Sequence, residues 1–273
     1  MIRAAFGALA AALALAAQAA SPVAFVADVT GSVNIEGDGK LGFLAELTTG
    51  TRLLVGTGAT VAIAYAATGT EFALVGPGEF TVTESEVRAD KGAKPVRKTV
   101  QALSGATVSR VAATATASVR MRGLKPDATA PRTALEFPVD TRVTMLQPLL
   151  RWKADASAKG YNVAIVDGAG KGVWKTSTSA PSAKVGVKLA PDTAYKWSVA
   201  TAQGNLGDGR FETLPADAIA KVQQSHAAAK TFSDRVMHAF LLQDIGAGQE
   251  AREAWAELAR ERPEIPELAA LAK

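Results

Sequence analysis

Cysteine is absent from all 273 residues, so disulfides, thiol nucleophiles and an N-terminal lipidated cysteine are excluded, and each unit must be held by packing alone. Histidine is nearly absent too. His226 and His238 fall on expected helices twelve residues apart, so neither has a second histidine at ligand spacing, and both are expected at surface or packing positions with no metal and no cofactor. No charge sign dominates: 30 Lys and Arg against 26 Asp and Glu leave +4, too little to argue for nucleic acid. Gly-x-Ser-x-Gly and Ser-x-x-Lys are both missing. "VGTGAT", residues 55–60, has two of the glycines of a nucleotide loop but lies between strands and reads as a turn. Glu84 and Glu86 share one expected strand face, unlike glycosidase pairs, which flank a cleft from separate elements. A catalytic role is not expected.

What is present begins with "MIRAAFGALAAALALAAQAA". Arg3, an apolar run from Ala4 to Ala17 and the small-residue pattern Ala17-Gln18-Ala19 form the layout of a secretory signal peptide, with cleavage after Ala19 or Ala20. The alternative is a membrane anchor, but this run is shorter than the roughly 20 residues a bilayer crossing needs, and no later run approaches that length. No transmembrane span is expected after cleavage. Export without disulfides favours a periplasmic location, with an extracellular one as the alternative.

Residues 21–123 read as an all-β unit. Val26–Ile35 alternates around Gly31, and "TVAIAY" places Val61, Ile63 and Tyr65 on one face. In "GTEFALVGPGEFTVTE", Phe72 and Leu74 precede the Gly76-Pro77-Gly78 turn and Phe80 and Val82 follow it, which predicts a hairpin. Gly31, Val33, Gly50, Leu53, Gly56, Val61, Ile63, Gly69, Phe72, Leu74, Pro77 and Gly78 together resemble the pattern of the FecR domain over residues 25–100. That family is named for a periplasmic regulator of iron-citrate signalling. The resemblance implies an all-β fold and a role in envelope contacts. Thr68 stands where the family usually has an acidic residue, and the regulator's cytoplasmic segment and membrane helix have no counterpart, so direct control of a cytoplasmic factor is not expected.

Between Arg88 and Lys125 there are nine Lys or Arg and one acidic residue, Asp90. Arg88, Lys91, Lys94, Arg97 and Lys98 are the candidate basic surface for an anionic partner; the competing reading is a charged linker with edge strands protected by charge. Residues 124–138, with three prolines, read as a linker. A β-sandwich is expected over 139–215. Its strand faces are Leu150 and Trp152; Tyr161, Val163 and Ile165; Val185, Val187 and Leu189; and Tyr195, Trp197 and Val199, with Phe211 closing the series. Leu189, Pro191, Thr193 and Tyr195 resemble the Leu-x-Pro-x-Thr-x-Tyr signature of fibronectin type III domains, with Trp152 in the place of the early core tryptophan. That resemblance implies a structural Tyr195 whose hydroxyl ties back to the backbone. Trp174 is a candidate exposed aromatic for a sugar ring, with core or edge packing as the alternative.

Residues 216–273 change to helical period. A helix is expected over 216–229. Thr231 and Asp234 form a capping pair ahead of Val236, Phe240 and Leu241, and Ala251, Ala254, Trp255 and Leu258 line a further helix that Pro263 stops. Phe232–Ile265 resembles a single tetratricopeptide-type hairpin. One such hairpin cannot bury its own face, so the preceding helix, the sandwich or a partner must cover it. The chain is therefore expected to be mainly β with a helical tail, exported, and non-enzymatic. Its partner would be an envelope protein or a cell-wall polymer, with trans-envelope signalling and glycan binding as alternatives.

Overall fold

Strand β6 (Thr60–Tyr65) is buried at every position after Thr60, and this explains how the first half of the molecule is built. Val61, Ile63 and Tyr65 point to one side, Ala62 and Ala64 to the other, and both sides are covered. The structure, a computed structural model, describes residues 21–100 and 134–273; the expected signal peptide, the later part of the basic run and residues 124–133 of the expected linker lie outside the described residues. Nine more strands accompany β6. They are β1 (Pro22–Thr30), β2 (Val33–Ile35), β3 (Gly39–Lys40), β4 (Glu46–Thr48), β5 (Arg52–Val55), β7 (Thr70–Val75), β8 (Gly78–Val82), β9 (Val87–Lys91) and β10 (Val96–Thr99).

They form two antiparallel sheets, sheet I in the order β10-β7-β6-β1-β4 and sheet II in the order β3-β2-β5-β8-β9. Val26, Ile63, Phe72 and Leu74 of sheet I meet Val33, Leu53, Phe80 and Val82 of sheet II in one core. Each fully buried side chain of this size contributes about 1.5–3 kcal/mol. The Tyr65 hydroxyl donates to the carbonyl of Glu86 at 2.6 Å, tying sheet I to the turn between β8 and β9. Burial raises the pKa of this phenol, so it stays a donor.

The expected hairpin at Gly76-Pro77-Gly78 is not one. β7 pairs with β6 and β10, whereas β8 pairs with β5 and β9, so the turn carries the chain from sheet I to sheet II as an arch. Phe72 and Leu74 then face Phe80 and Val82 across the core rather than lying beside them. The arch passes close over β5. A Cβ on Gly76 would lie 2.0 Å from the carbonyl oxygen of Gly56, which only glycine tolerates.

The second β unit comprises β11 (Leu135–Phe137), β12 (Thr141–Val143), β13 (Leu149–Trp152), β14 (Tyr161–Asp167), β15 (Gly172–Thr178), β16 (Ser182–Lys184), β17 (Ala194–Thr201) and β18 (Gly204–Thr213). Sheet III has the order β11-β13-β16 and sheet IV the order β12-β18-β17-β14-β15, with β12 parallel to β18 and the other pairs antiparallel. Trp152, Tyr161, Tyr195, Trp197 and Phe211 fill the space between them. Trp152 meets Tyr161 edge-to-face at 5.3 Å. The Tyr195 hydroxyl accepts the backbone N–H of Ala190 at 2.9 Å. Two expectations are corrected here. Leu135 and Phe137 are buried on either side of exposed Glu136, so the sandwich begins inside the expected 124–138 linker. The "KVGVKL" segment is not a strand: Val185 and Leu189 are buried but Val187 is exposed, and regular pairing ends at Lys184.

The helices are α1 (Ala216–Ala228), α2 (Phe232–Asp244), α3 (Gly248–Glu261) and α4 (Pro266–Leu271). Thr231 and Asp234 form both bonds of a capping box at the start of α2. α4, which the sequence reading did not identify, is a single short turn-and-a-half beginning at Pro266. The helical layer finds its cover on the first β unit, not on the sandwich beside it in sequence. Phe232, Val236, Met237, Phe240 and Trp255 share a core with Phe25, Ala27, Ala62 and Ala64 on the outer face of sheet I and with Phe43 and Ala66 in the adjoining loops. The alanines let the helix approach closely, and Phe25–Phe240 and Phe240–Trp255 pack edge-to-face at 5.9 and 4.8 Å. In sequence, though not in space, the second β unit is thus inserted between a sheet and the helices that cover it.

Candidate functional site

The candidate basic residues lie on the outermost strands of two different sheets. Arg88 and Lys91 belong to β9 at the edge of sheet II, Arg97 and Lys98 to β10 at the edge of sheet I, and Lys94 to the turn between them. Arg88 pairs with Asp90 at 3.6 Å and Lys91 with Glu79 at 2.8 Å. Lys94 and Arg97 are exposed and have no ion-pair partner among the described residues. Charge on unpaired edges also blocks edge-to-edge association.

Lys98 is not part of an open patch. Its ammonium lies 2.8 Å from Glu71 and 2.8 Å from Asp234 at the start of α2, so it stitches the helices to sheet I. Glu71 is 2 % exposed; its Oε1 also accepts from Ser233 at 3.1 Å, and its Oε2 has no hydrogen-bond partner among the described residues. Burial raises the Glu71 pKa, outweighing the lysine beside it. Burial works against the charge of Lys98 as well, but hydrogen bonds and attraction from Asp234 and Glu71 prevail and raise its pKa. The same lysine and the Thr231 cap lower that of Asp234 against the cost of burial. Arg262 donates to Asp28 at 3.0 Å and to the Val29 carbonyl at 3.1 Å, with its guanidinium over the Phe232 ring.

The second β unit is mounted through the start of α3, and its contacts are polar. Gln249 accepts from the Val139 N–H at 2.7 Å and donates to the Glu136 carbonyl at 2.7 Å. Glu250 accepts from the Thr144 N–H at 3.2 Å, and Arg151 pairs with Glu253. Arg142 donates to the Ile245 carbonyl at 3.3 Å. Burial raises the pKa of the Glu250 carboxyl. Along the outer face of sheet IV runs an open groove of about 500 Å³. Its floor is two cross-strand rows, Val166–Lys196–Arg210 and Ala164–Ser198–Asp208. Ala164 and Val166 make its β14 side apolar, Lys196 and Ser198 occupy the middle, and Asp208 and Arg210 charge its β18 side. A second hollow of about 470 Å³ adjoins it, between β12, β18 and Gly246 of the helical layer. The sequence signal for this groove was the pair Ala164 and Val166, apolar residues on the outward positions of β14.

Trp174 is half-buried and packs against the sandwich core; Gly186 lies beside its indole, where a Cβ would sit 3.2 Å from Nε1, a tight contact. Glu84 and Glu86 lie in the turn between β8 and β9, not on a strand face. The two histidines, expected to be apart, meet across the α1–α2 seam with ring centres 5.3 Å apart. His238 Nδ1 is 3.1 Å from the hydroxyl of buried Ser225. Burial, reinforced by neighbouring His226, lowers the His238 pKa to about 4. Among the described residues, no group of three or more His, Cys, Asp or Glu is placed to hold a metal ion, and no helix is long and apolar enough to cross a membrane.

No family model matches this chain, and no curated protein matches it.

Proposed function

We propose that the chain is an exported, non-enzymatic envelope protein with a FecR-like first unit and a fibronectin type III-like second unit. It acts as a binding or scaffold module for protein or cell-wall contacts. The single observation that carries this reading is the mounting of the second unit. It is held at one end by polar contacts from α3, while the groove on sheet IV stays open. A shallow groove with one apolar side and one charged side suits recognition of an extended chain. The fibronectin-like part of the reading is supported by the strand order, by the parallel β12–β18 pair and by the tie from Tyr195 to Ala190. The FecR-like part rests on the glycine arch and the core apolars of its pattern.

A photoreactive residue at Ala164, compared with one at Lys221 on α1, tests this in intact cells. The expected result is a discrete adduct at Ala164 alone, with an envelope protein or cell-wall fragment. An integral membrane protein in that adduct would shift the reading to an accessory of trans-envelope signalling. Equal adduct yields at both positions would overturn it. Sequencing the N-terminus of the same purified material checks export, with a start at Ala20 or Ser21 expected.

A further inference from the structure

The chain has only two histidines, and folding brings them together from different helices. His226 stands exposed near the end of α1, and His238 is half-buried in the middle of α2. Two imidazoles sharing one tetrahedral ion at metal–nitrogen distances of about 2.0–2.1 Å have ring centres roughly 5 Å apart; the separation here is 5.3 Å. Ser225 supplies the outer support such a ligand requires. Its buried hydroxyl lies 3.1 Å from His238 Nδ1, and in the tautomer with the proton on Nδ1 the serine accepts that hydrogen bond and the Nε2 lone pair is free.

From this geometry we propose that His226 and His238 form a two-histidine site for a divalent transition ion of the copper, nickel or zinc class, with water in the remaining positions. Imidazole suits these ions, and in a site without thiolate or carboxylate the affinity follows the order copper above nickel and zinc. Binding clips α1 to α2. This assignment is independent of the groove on sheet IV and of the function proposed for it.

The test is titration of the full chain with Cu²⁺, Ni²⁺ and Zn²⁺ alone, in a non-coordinating buffer at pH 7.5. Calorimetry gives stoichiometry, and the copper complex is read by electron paramagnetic resonance. One equivalent per chain is expected, copper binding tightest, with nitrogen couplings from two imidazoles and a raised melting temperature. His226→Ala, at an exposed position, should weaken copper binding at least about tenfold and remove one imidazole from the spectrum. His238→Gln should do the same; if it fails to fold, His226→Ala decides alone. Failure to saturate at one equivalent, or equal affinity in the wild type and His226→Ala, would overturn the site.

Discussion

Glu71 holds a buried carboxylate with one oxygen that has no hydrogen-bond partner among the described residues, and it tolerates that position because the Lys98 ammonium is beside it. Lys98→Met removes the compensating charge and is expected to destabilise the protein by about 2–3 kcal/mol in urea unfolding. Adding Glu71→Gln should recover part of that loss, since a neutral amide is easier to bury than an unpaired carboxylate. Gly76 makes a second prediction. Gly76→Ala forces a methyl onto the Gly56 carbonyl and should cost about 3 kcal/mol. At Gly42 a Cβ meets nothing within 4 Å, so Gly42→Ala should leave the melting curve nearly unchanged. Residue roles that depend on near neighbours were legible from sequence. The Thr231–Asp234 cap is one, because both partners sit within one turn. The role of Lys98 was not, because its carboxylates come from β7 and from the far end of the chain. For the same reason the meeting of His226 and His238 could not be read from a spacing of twelve residues.

Among the elements, the α1–α2 seam has its own pH dependence. The folded pKa of His238 is about 4, below the ordinary 6.5, so between these values the unfolded chain binds the extra proton. Stability from this group is therefore complete above about pH 6.5 and is lost progressively as pH falls to about 4. Denaturant midpoints measured at pH 7, 5.5 and 4.5 should fall in that order, and His238→Gln should flatten the trend. Strand existence was largely legible, since Val61, Ile63 and Tyr65 alternate as a buried face should. Pairing was less so. An arch and a hairpin place Phe72, Leu74, Phe80 and Val82 in the same alternating pattern, and only the partners of β7 and β8 distinguish them. The groove on sheet IV was half-visible, as apolar residues on outward positions of β14. Val187 was misread because Gly186 and the loop after it end the pairing while two of its apolar neighbours stay buried.

For the whole molecule, the three cores predict how the chain divides. The second β unit closes its core with no helical residue, whereas the outer face of sheet I depends on α2, α3 and α4. A fragment spanning 134–214 is expected to melt cooperatively alone. A chain ending at Leu214 should keep that transition but bind a hydrophobic dye through exposed Phe25 and Phe43. Adding back a 215–273 peptide should suppress the dye signal. This dependence was not legible, because Ala27, Ala62 and Ala64 are too small to announce a second buried face on strands already satisfied on the first. It has a consequence for biogenesis. Arg262 and Asp28, 234 residues apart in sequence, close the same seam, so synthesis delivers the lid last. Until then the earliest sheet waits half-dressed, and any stalled or clipped product carries a sticky plane that proteases and chaperones can recognise as unfinished.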